Sequence, residues 1–179
     1  FAPLSVTGKG APLSFAYGKD WVGATYREEA ETKIDASELV FVGYGINAPE
    51  KGWNDYAGLD VKGKTVVILV NDPDWQTAGL EGPFGGKAMT YYGRWTYKFE
   101  EASRRGAIAA LIVHDTDGVG YGWNVVKSGG GENYGLVVPP EKQTSLALQG
   151  WISGETATRL FADAGQDLAK LRVAARRKS

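Results

Sequence analysis

The chain has no cysteine and only one histidine, His114. The absence of cysteine excludes disulfide bonds, cysteine-ligated zinc and a thiol nucleophile, although it leaves the cellular compartment open. A catalytic zinc ion usually takes two or three imidazoles or a comparable mixed set of ligands, which a single histidine does not supply. We therefore expect no catalytic residue, no metal ligand and no cofactor in this chain.

A strong charge of one sign and long apolar runs are lacking as well. The 20 Lys and Arg residues nearly balance 21 Asp and Glu residues, which gives a net charge of −1. This balance provides no long-range field to attract nucleic acid or an anionic membrane. No apolar run approaches the ~20 residues that cross a bilayer. No basic and then apolar leader opens the sequence, so we expect any export signal to be removed or to lie outside this segment.

The composition suits one β-rich globular domain. Hydrophobic residues make up 43% of the chain and charged residues 23%, which are ordinary globular values. A length of 179 residues is ample for one core and short for two, so we predict a single domain over residues 1–179. The 25 glycines, six tryptophans and nine tyrosines favour many turns and aromatic-lined loops.

Short apolar runs bounded by turn residues predict six strands, at residues 11–16, 21–26, 38–44, 65–71, 107–113 and 145–148. We expect the first two to form a hairpin. The run Leu39-Val40-Phe41-Val42 is apolar throughout, which predicts a strand covered on both faces. Residues 115–140 are rich in glycine and predict a long loop, in which residues 123–126 pair locally.

Residues 94–105 predict a helix, because Trp95, Phe99 and Ala102 recur at helical spacing and Gly106 can end it. We expect Trp95 to pin this helix to the sheet. Two acid-first pairs, Glu100 with Arg104 and Glu101 with Arg105, predict ion pairs on its outer face. The sequence also predicts a helix capped by Ser153 and a shorter one capped by Asp167. The predicted core comprises Leu39, Val40, Val42, Val66, Ile68, Val70, Phe99, Ile108, Ala110, Ile112, Leu160 and Phe161.

Two motifs suggest ligands and have simpler interpretations. The spacing of Gly43, Gly45 and Ala48 matches a dinucleotide fingerprint, which requires a helix to begin there. Pro49 and the following glycines oppose that helix, so we favour a tight turn. Asp72 and Asp74 cluster oxygens that could hold Ca²⁺, but their spacing is not that of a calcium loop, and turn chemistry before Pro73 explains them.

His114 could belong to a serine hydrolase triad with a neighbouring aspartate. No G-x-S-x-G elbow is present to offer a serine, so we favour a hydrogen-bonded residue at a strand end. Aromatic and arginine side chains dominate binding hot spots, because they bury much area and carry a polar tip. The candidate partner-binding residues are Tyr91, Tyr92, Arg94, Tyr121 and Trp123, with packing in the core as the alternative.

Four segments, taken in order, carry a family resemblance. They are FVGYGI at residues 41–46, DYAGLDVKGKTVVILVNDP at 55–73, TYYGRWTYKFEEA at 90–102 and GWISGETATRLFADAG at 150–165. In combination they resemble the protease-associated (PA) domain of bacterial secreted zinc aminopeptidases related to glutamate carboxypeptidase II. The resemblance is weakest over residues 1–37, and residues 168–179 are a possible terminal tail.

The resemblance implies an α/β (α+β) domain with the three-layer swivelling β/β/α PA fold, a mixed central sheet and two or three helices. It further implies a non-catalytic accessory domain inserted in a larger, exported metallopeptidase, whose catalytic domain holds two zinc ions. Such a domain caps the active-site cleft, helps to select peptide substrates or contacts other proteins. A free-standing peptide-binding or protein-binding module and a small hydrolase using His114 remain alternatives.

Overall fold

A computed structural model describes residues 1–128 and 136–177 of the chain. Its centre is a five-stranded mixed sheet in the order β3-β9-β8-β7-β4, in which only the β3–β9 pair is antiparallel. The strands in the described residues are β1 (Leu4–Val6), β2 (Leu13–Phe15), β3 (Trp21–Ala24), β4 (Leu39–Phe41), β5 (Asn47–Ala48), β6 (Trp53–Asn54), β7 (Thr65–Leu69), β8 (Ala109–Val113) and β9 (Leu148–Ile152).

Five α-helices lie in the same described ranges. They are α1 (Trp95–Arg104), α2 (Thr116–Val119), α3 (Trp123–Lys127), α4 (Gly154–Asp163) and α5 (Leu168–Ala174). Single 3-10 turns occur at Pro49–Lys51, Tyr91–Gly93 and Pro140–Lys142. None of the helices in the described ranges has the length and apolar character needed to span a membrane. The five-stranded sheet and the five helices together make the chain a mixed α/β domain.

The two central strands, β7 and β8, are buried along their whole length because their apolar residues are covered on both faces. Val66 and Ile68 pack in one cluster with Phe99 of α1, on one side of the sheet. Val67 and Leu69 point to the other side and join a cluster that contains α4 and its Phe161. Ile68 and Ile112, which pair in register, are both fully buried, so both core predictions are confirmed.

Strand β4 differs from the prediction, because it is an edge strand of three residues and all three are only half-buried. Leu39 and Val40 therefore lie at the margin of the core, and Ile108 is half-buried as well. The last strand, β9, begins at Leu148 and not at Ser145. The cause is a contact between residues distant in sequence: the Ser145 hydroxyl donates to the carbonyls of Ser103 and Ala107, which ties this segment to the end of α1.

The expected hairpin of residues 11–26 does not form. Strand β2 pairs with β1, and β3 leaves this pair to join the edge of the main sheet beside β9. The Trp21 side chain explains the separation: its ring is buried, and its indole N–H donates to the carbonyl of Phe15 at 3.1 Å. The two segments therefore contact each other through a side chain and not through a strand ladder.

Helix α1 spans almost the predicted residues, but its buried face is rotated. Trp95 is 49% exposed, whereas Lys98 and Glu101 face inward and are buried. Glu101 accepts hydrogen bonds from both Arg104 and Arg105, so the predicted ion pair with Arg105 belongs to a buried carboxylate and not to the outer face. Glu101 is thus paired with two arginines, whereas Lys98 is buried without an ion pair and donates to backbone carbonyls.

The remaining helices differ in part from the prediction. Helices α2 and α3 lie where a loop was expected, and residues 123–126 are helical and do not pair as a strand. The Ser153 hydroxyl accepts from the Thr156 N–H at the start of α4, and the Asp167 carboxylate accepts from two N–H groups at the start of α5. Both predicted caps are therefore confirmed. Helix α5 packs on the domain, with Leu168 buried in the core.

The Gly43–Gly45 motif forms a tight turn, as favoured by the sequence. Gly43 and Gly45 have φ values of 55° and 62°, and strand β5 follows where a dinucleotide site would require a helix. A Cβ atom at Gly45 would lie 2.9 Å from Ile68 Cγ2, whereas one at Gly58, with φ 72°, would meet nothing within 4 Å. Gly45 and Gly58 thus share a left-handed backbone and differ in the space around the position of a Cβ atom.

We expect Gly45→Ala to destabilise the domain more than Gly58→Ala. Both variants carry the left-handed penalty of about 1–2 kcal/mol. Gly45→Ala adds an overpacking cost of about 1–3 kcal/mol against the buried Ile68. Urea unfolding of the two variants measures the difference directly. Equal losses of unfolding free energy would contradict the close packing of this turn.

Candidate functional site

Two of the predicted binding residues, Tyr91 and Arg94, lie with Trp95 on an exposed surface. We call these three residues the rim. Tyr91 is 53% exposed, and its hydroxyl donates to the Glu100 carboxylate at 2.8 Å, which raises the pKa of the Tyr91 phenol. Arg94 is exposed, and its guanidinium makes no hydrogen bond or ion pair within the described part of the chain. Trp95 adds a half-exposed indole at the start of α1. The rim therefore offers two rings and one unengaged cation.

Tyr92 points inward and fixes the turn that carries the rim. Its ring packs edge-on against Phe84 and Tyr97, with centroids 5.8 and 4.9 Å away. Its hydroxyl donates to the Glu50 carboxylate at 2.9 Å. Tyr92 is thus a packing residue beneath the rim.

Tyr121 and Trp123 gather around His114, at the end of β8. The His114 ring lies 6.1 Å from the Tyr121 ring and 5.6 Å from the Trp123 ring. His114 Nε2 lies 3.1 Å from the Tyr121 carbonyl oxygen, and burial lowers the pKa of His114 below its ordinary 6.5. The imidazole is 4% exposed, as expected of a hydrogen-bonded strand-end residue.

Tyr121 also faces a groove between α1 and α3, of about 320 Å³, above β3 and β9. Its lining is mainly aromatic and aliphatic, and includes Trp95, Phe99, Tyr121, Val125 and Trp151. Trp95 belongs to both the rim and this groove. Tyr121 and Trp95 therefore line one groove beside the rim. Trp123 remains packed on His114, with its indole N–H buried and unpaired among the described residues.

Asp72 forms the floor beneath the rim. Its carboxylate accepts from the Thr90 N–H at 2.7 Å and from the Thr90 hydroxyl at 3.0 Å. The Asn71 N–H donates to the Gly93 carbonyl at 3.1 Å, which adds a second attachment. A Cβ at Gly93 would lie 3.0 Å from the Asp72 carboxyl carbon, so glycine allows the close approach. Three hydrogen bonds thus attach Thr90–Gly93 to the end of β7, and we call them the tether.

Asp74 serves the neighbouring loop in the same way. One of its carboxylate oxygens accepts from the N–H groups of Phe84 and Gly86, at 2.8 and 3.3 Å. Within the described residues, no group of three or more His, Cys, Asp or Glu side chains is placed to hold a metal ion. Both Asp72 oxygens accept from Thr90, whereas Asp74 Oδ1 is buried with no hydrogen-bond partner among the described residues. The two side chains hold distant loop segments and do not form the local side-chain turn that was expected before Pro73.

Lys98 is the functional candidate that sequence reasoning missed. Its side chain is completely buried, and its Nζ donates to the carbonyls of Tyr44 at 2.5 Å and Asn71 at 3.0 Å. Burial lowers the pKa of Lys98 from 10.5 to about 7, against the opposing attraction of Asp72 and Asp55. The available signal was its spacing, because position 98 lies four residues before Ala102, a buried member of the predicted apolar stripe.

Asp55, which is half-buried, completes a charge cluster, which we define as Lys98, Asp55 and Asp72. The Asp55 carboxylate accepts from the Ile46 N–H at 3.0 Å and the Trp53 indole N–H at 2.8 Å. Burial raises the pKa of both Asp55 and Asp72 above the ordinary 3.8. The cluster lies at the carboxyl ends of β4 and β7, the usual position of ligands in parallel sheets. In this domain the side chains of Lys98, Asp55 and Asp72 lie where a ligand would otherwise bind.

A second cavity, of about 910 Å³, lies on the α4 side of the sheet. Its walls include Leu4 of β1, Leu39 of β4 and Phe161 of α4. Close by, a Cβ at Gly8 would collide with the Asp163 carboxylate at the end of α4. Residues 1–8 and the end of α4 therefore lie on the same side of the domain.

Comparison with protein-family models gives no match to this chain. Comparison with curated proteins gives no significant match either.

Proposed function

We propose that this chain is a non-catalytic accessory domain of the PA type, which contributes a peptide-binding or protein-binding rim to a zinc aminopeptidase. The four sequence segments support this proposal by their resemblance to that family. The layered arrangement is compatible with it: α1 covers one face of the mixed sheet, and the β1–β2 pair with α4 covers the other. The proposed parent enzyme is exported, to the periplasm or outside the cell, and holds two zinc ions in its catalytic domain.

The observation that carries the proposal is an exposed rim on a fixed support. Tyr91, Arg94 and Trp95 are exposed, while Tyr92 and Asp72 hold the turn beneath them. A binding surface that is ordered before contact loses little conformational entropy on association. The free Arg94 guanidinium can donate several hydrogen bonds to a peptide carbonyl or carboxylate.

The two alternatives place the function differently. A free-standing binding module would use the same rim without an attached enzyme, and the surrounding gene separates it from our proposal. A hydrolase would need His114 as a base. That imidazole is buried, contacts the Tyr121 carbonyl and is covered by Trp123. A general base must reach the proton that it removes, so this geometry favours the accessory domain.

Replacing Arg94 or Trp95 by alanine in the full-length enzyme is expected to raise KM about tenfold with an unchanged melting temperature. A factor of ten corresponds to the loss of about 1.4 kcal/mol of binding free energy. Steady-state kinetics on peptide substrates and thermal unfolding together measure both effects. Arg177→Ala, another exposed arginine at the far end of the chain, is the matched control and should keep normal kinetics.

Trp123→Ala is the structural contrast in the same experiment. Its ring packs on His114, so this variant should lower the melting temperature and keep normal kinetics per folded molecule. If Arg94→Ala and Trp95→Ala behave as Trp123→Ala does, the rim is a packing feature and the proposed function is wrong.

A further inference from the structure

Lys98 lies directly behind the tether that holds the rim. Its amine donates to the carbonyl of Asn71, and the N–H of the same residue donates to Gly93. The next residue, Asp72, accepts both hydrogen bonds from Thr90. One peptide segment therefore contacts the buried amine on one side and the rim turn on the other.

The acceptors around Lys98 match a neutral amine. Two carbonyl oxygens, of Tyr44 and Asn71, receive hydrogen bonds from Nζ. A neutral amine has two N–H donors, whereas an ammonium has three. Among the described residues the third N–H has no hydrogen-bonded acceptor, and the Tyr44 ring centroid, 5.8 Å away, is a weak substitute. Asp72 and Asp55 nearby attract the charge without a direct hydrogen bond to it.

We propose that Lys98 is a positioning residue for the rim, and that the charge on its amine controls how firmly the rim is attached to the end of β7. The neutral amine holds the tether closed, and the ammonium loosens it. The inference rests on the proposed function because the rim is the partner-binding surface there. Its consequence is a binding surface whose order depends on pH.

The direction follows from hydration. When Thr90–Gly93 detaches from Asn71 and Asp72, water reaches the buried site and an ammonium gains hydration that it lacks in the closed domain. In the closed domain the pKa of Lys98 is about 7, and in a hydrated site it returns toward 10.5. Between these values the open form holds more protons, so rising pH favours the closed rim. Below pH 7 both forms are charged, and the balance no longer changes.

Other titratable groups face the same site. The β7 end contributes Asp72, with Asp74 behind it, and the segment after β6 contributes Asp55 and Tyr56. The segment after β4 contributes Tyr44, and α1 itself contributes Tyr97 and Glu101. The phenols of Tyr44, Tyr56 and Tyr97 have pKa values raised above 10, outside a window of pH 7–9. Burial raises the pKa of Asp55 and of Asp72 above 3.8, and the Lys98→Met variant separates the contribution of the carboxyl groups from that of Lys98.

The test is amide hydrogen exchange by NMR on the isolated chain between pH 6 and pH 9, expressed as protection factors that remove the intrinsic pH dependence. The Asn71 and Thr90 amides report on the tether, and the Leu111 amide in β8 reports on global unfolding. We expect tether protection to stay below that of Leu111. It should rise by up to about tenfold per pH unit from pH 7 to pH 9, and stay constant below pH 7.

Lys98→Met should remove this slope, whatever its absolute protection, while Lys127→Met, at an exposed lysine, keeps the wild-type profile. The inference is overturned by a flat wild-type profile, by a slope that persists in Lys98→Met, or by tether amides as protected as Leu111 at every pH. If Lys98→Met does not fold, the ¹³Cε titration of Lys98 in the wild type decides. Its midpoint must coincide with the pH at which tether protection begins to rise, and a mismatch overturns the inference.

These measurements need no partner and no enzyme activity. A flat exchange profile beside raised KM values for Arg94→Ala would reject the role of Lys98 and keep the binding rim. If tether protection rises with pH but Arg94→Ala keeps a normal KM, the binding function of the rim is rejected. The control of the tether by Lys98 is then kept.

Discussion

Replacing Asp72 by alanine is expected to lower the free energy of unfolding by about 3–5 kcal/mol. This is the usual cost of removing one member of a set of buried charges while the opposite charge, here on Lys98, stays buried. The carboxylate is fully buried, and its loss leaves the Thr90 N–H and hydroxyl without their acceptor. It also removes the first of the two negative charges that attract Lys98. Urea unfolding at pH 7 measures the change.

Asp117→Ala is the matched control for this variant. Asp117 is an exposed carboxylate in the first turn of α2, so its replacement should change the unfolding free energy by less than about 0.5 kcal/mol. If Asp72→Ala is as stable as Asp117→Ala, the tether contributes nothing to the fold and the support beneath the rim is wrongly assigned.

The wild-type domain is expected to gain about 2 kcal/mol of unfolding free energy between pH 7 and pH 9. The pKa of Lys98 is lowered in the folded state to about 7, so over this range the unfolded chain holds a proton that the folded chain has lost. Stability therefore rises with pH until the unfolded lysine also deprotonates. The pKa of His114 is lowered from 6.5, so His114 titrates below this window.

Urea titrations at pH 7, 8 and 9 measure this gain, and Lys98→Met supplies its control. The variant cannot bind the proton, so its unfolding free energy should be nearly constant over the same range. A wild-type stability that falls or stays level from pH 7 to pH 9 would show that Lys98 keeps an ordinary pKa in the folded domain.

The sequence identified the elements whose signals are local. Strands β7 and β8 follow from continuous apolar runs, and the caps of α4 and α5 follow from Ser153 and Asp167. The start of β9 depends on contacts between Ser145 and Ser103, 42 residues apart, which no local pattern reveals. The partner of β2 was missed for a related reason, because an indole hydrogen bond replaces the expected ladder.

The candidate site was predicted in part. The segment Thr90–Arg94 was identified from its aromatic residues and its arginine, and the structure exposes Tyr91 and Arg94 there. The burial of Lys98 was not predicted, because its acceptors lie 54 and 27 residues away in sequence. A charged residue is normally expected on the outer face of a helix. Lys98 lies on the inner face because the folded chain brings two carbonyl acceptors to it.

The central claim is that this chain is the accessory part of a zinc aminopeptidase. The most direct measurement compares residues 1–179 with the full-length gene product, both purified without chelator, for bound zinc and for aminopeptidase activity. The proposal predicts two zinc ions and peptide hydrolysis in the full-length protein, and neither in residues 1–179 alone. One firmly bound zinc ion in the isolated chain, or a full-length protein without peptidase activity, would contradict it.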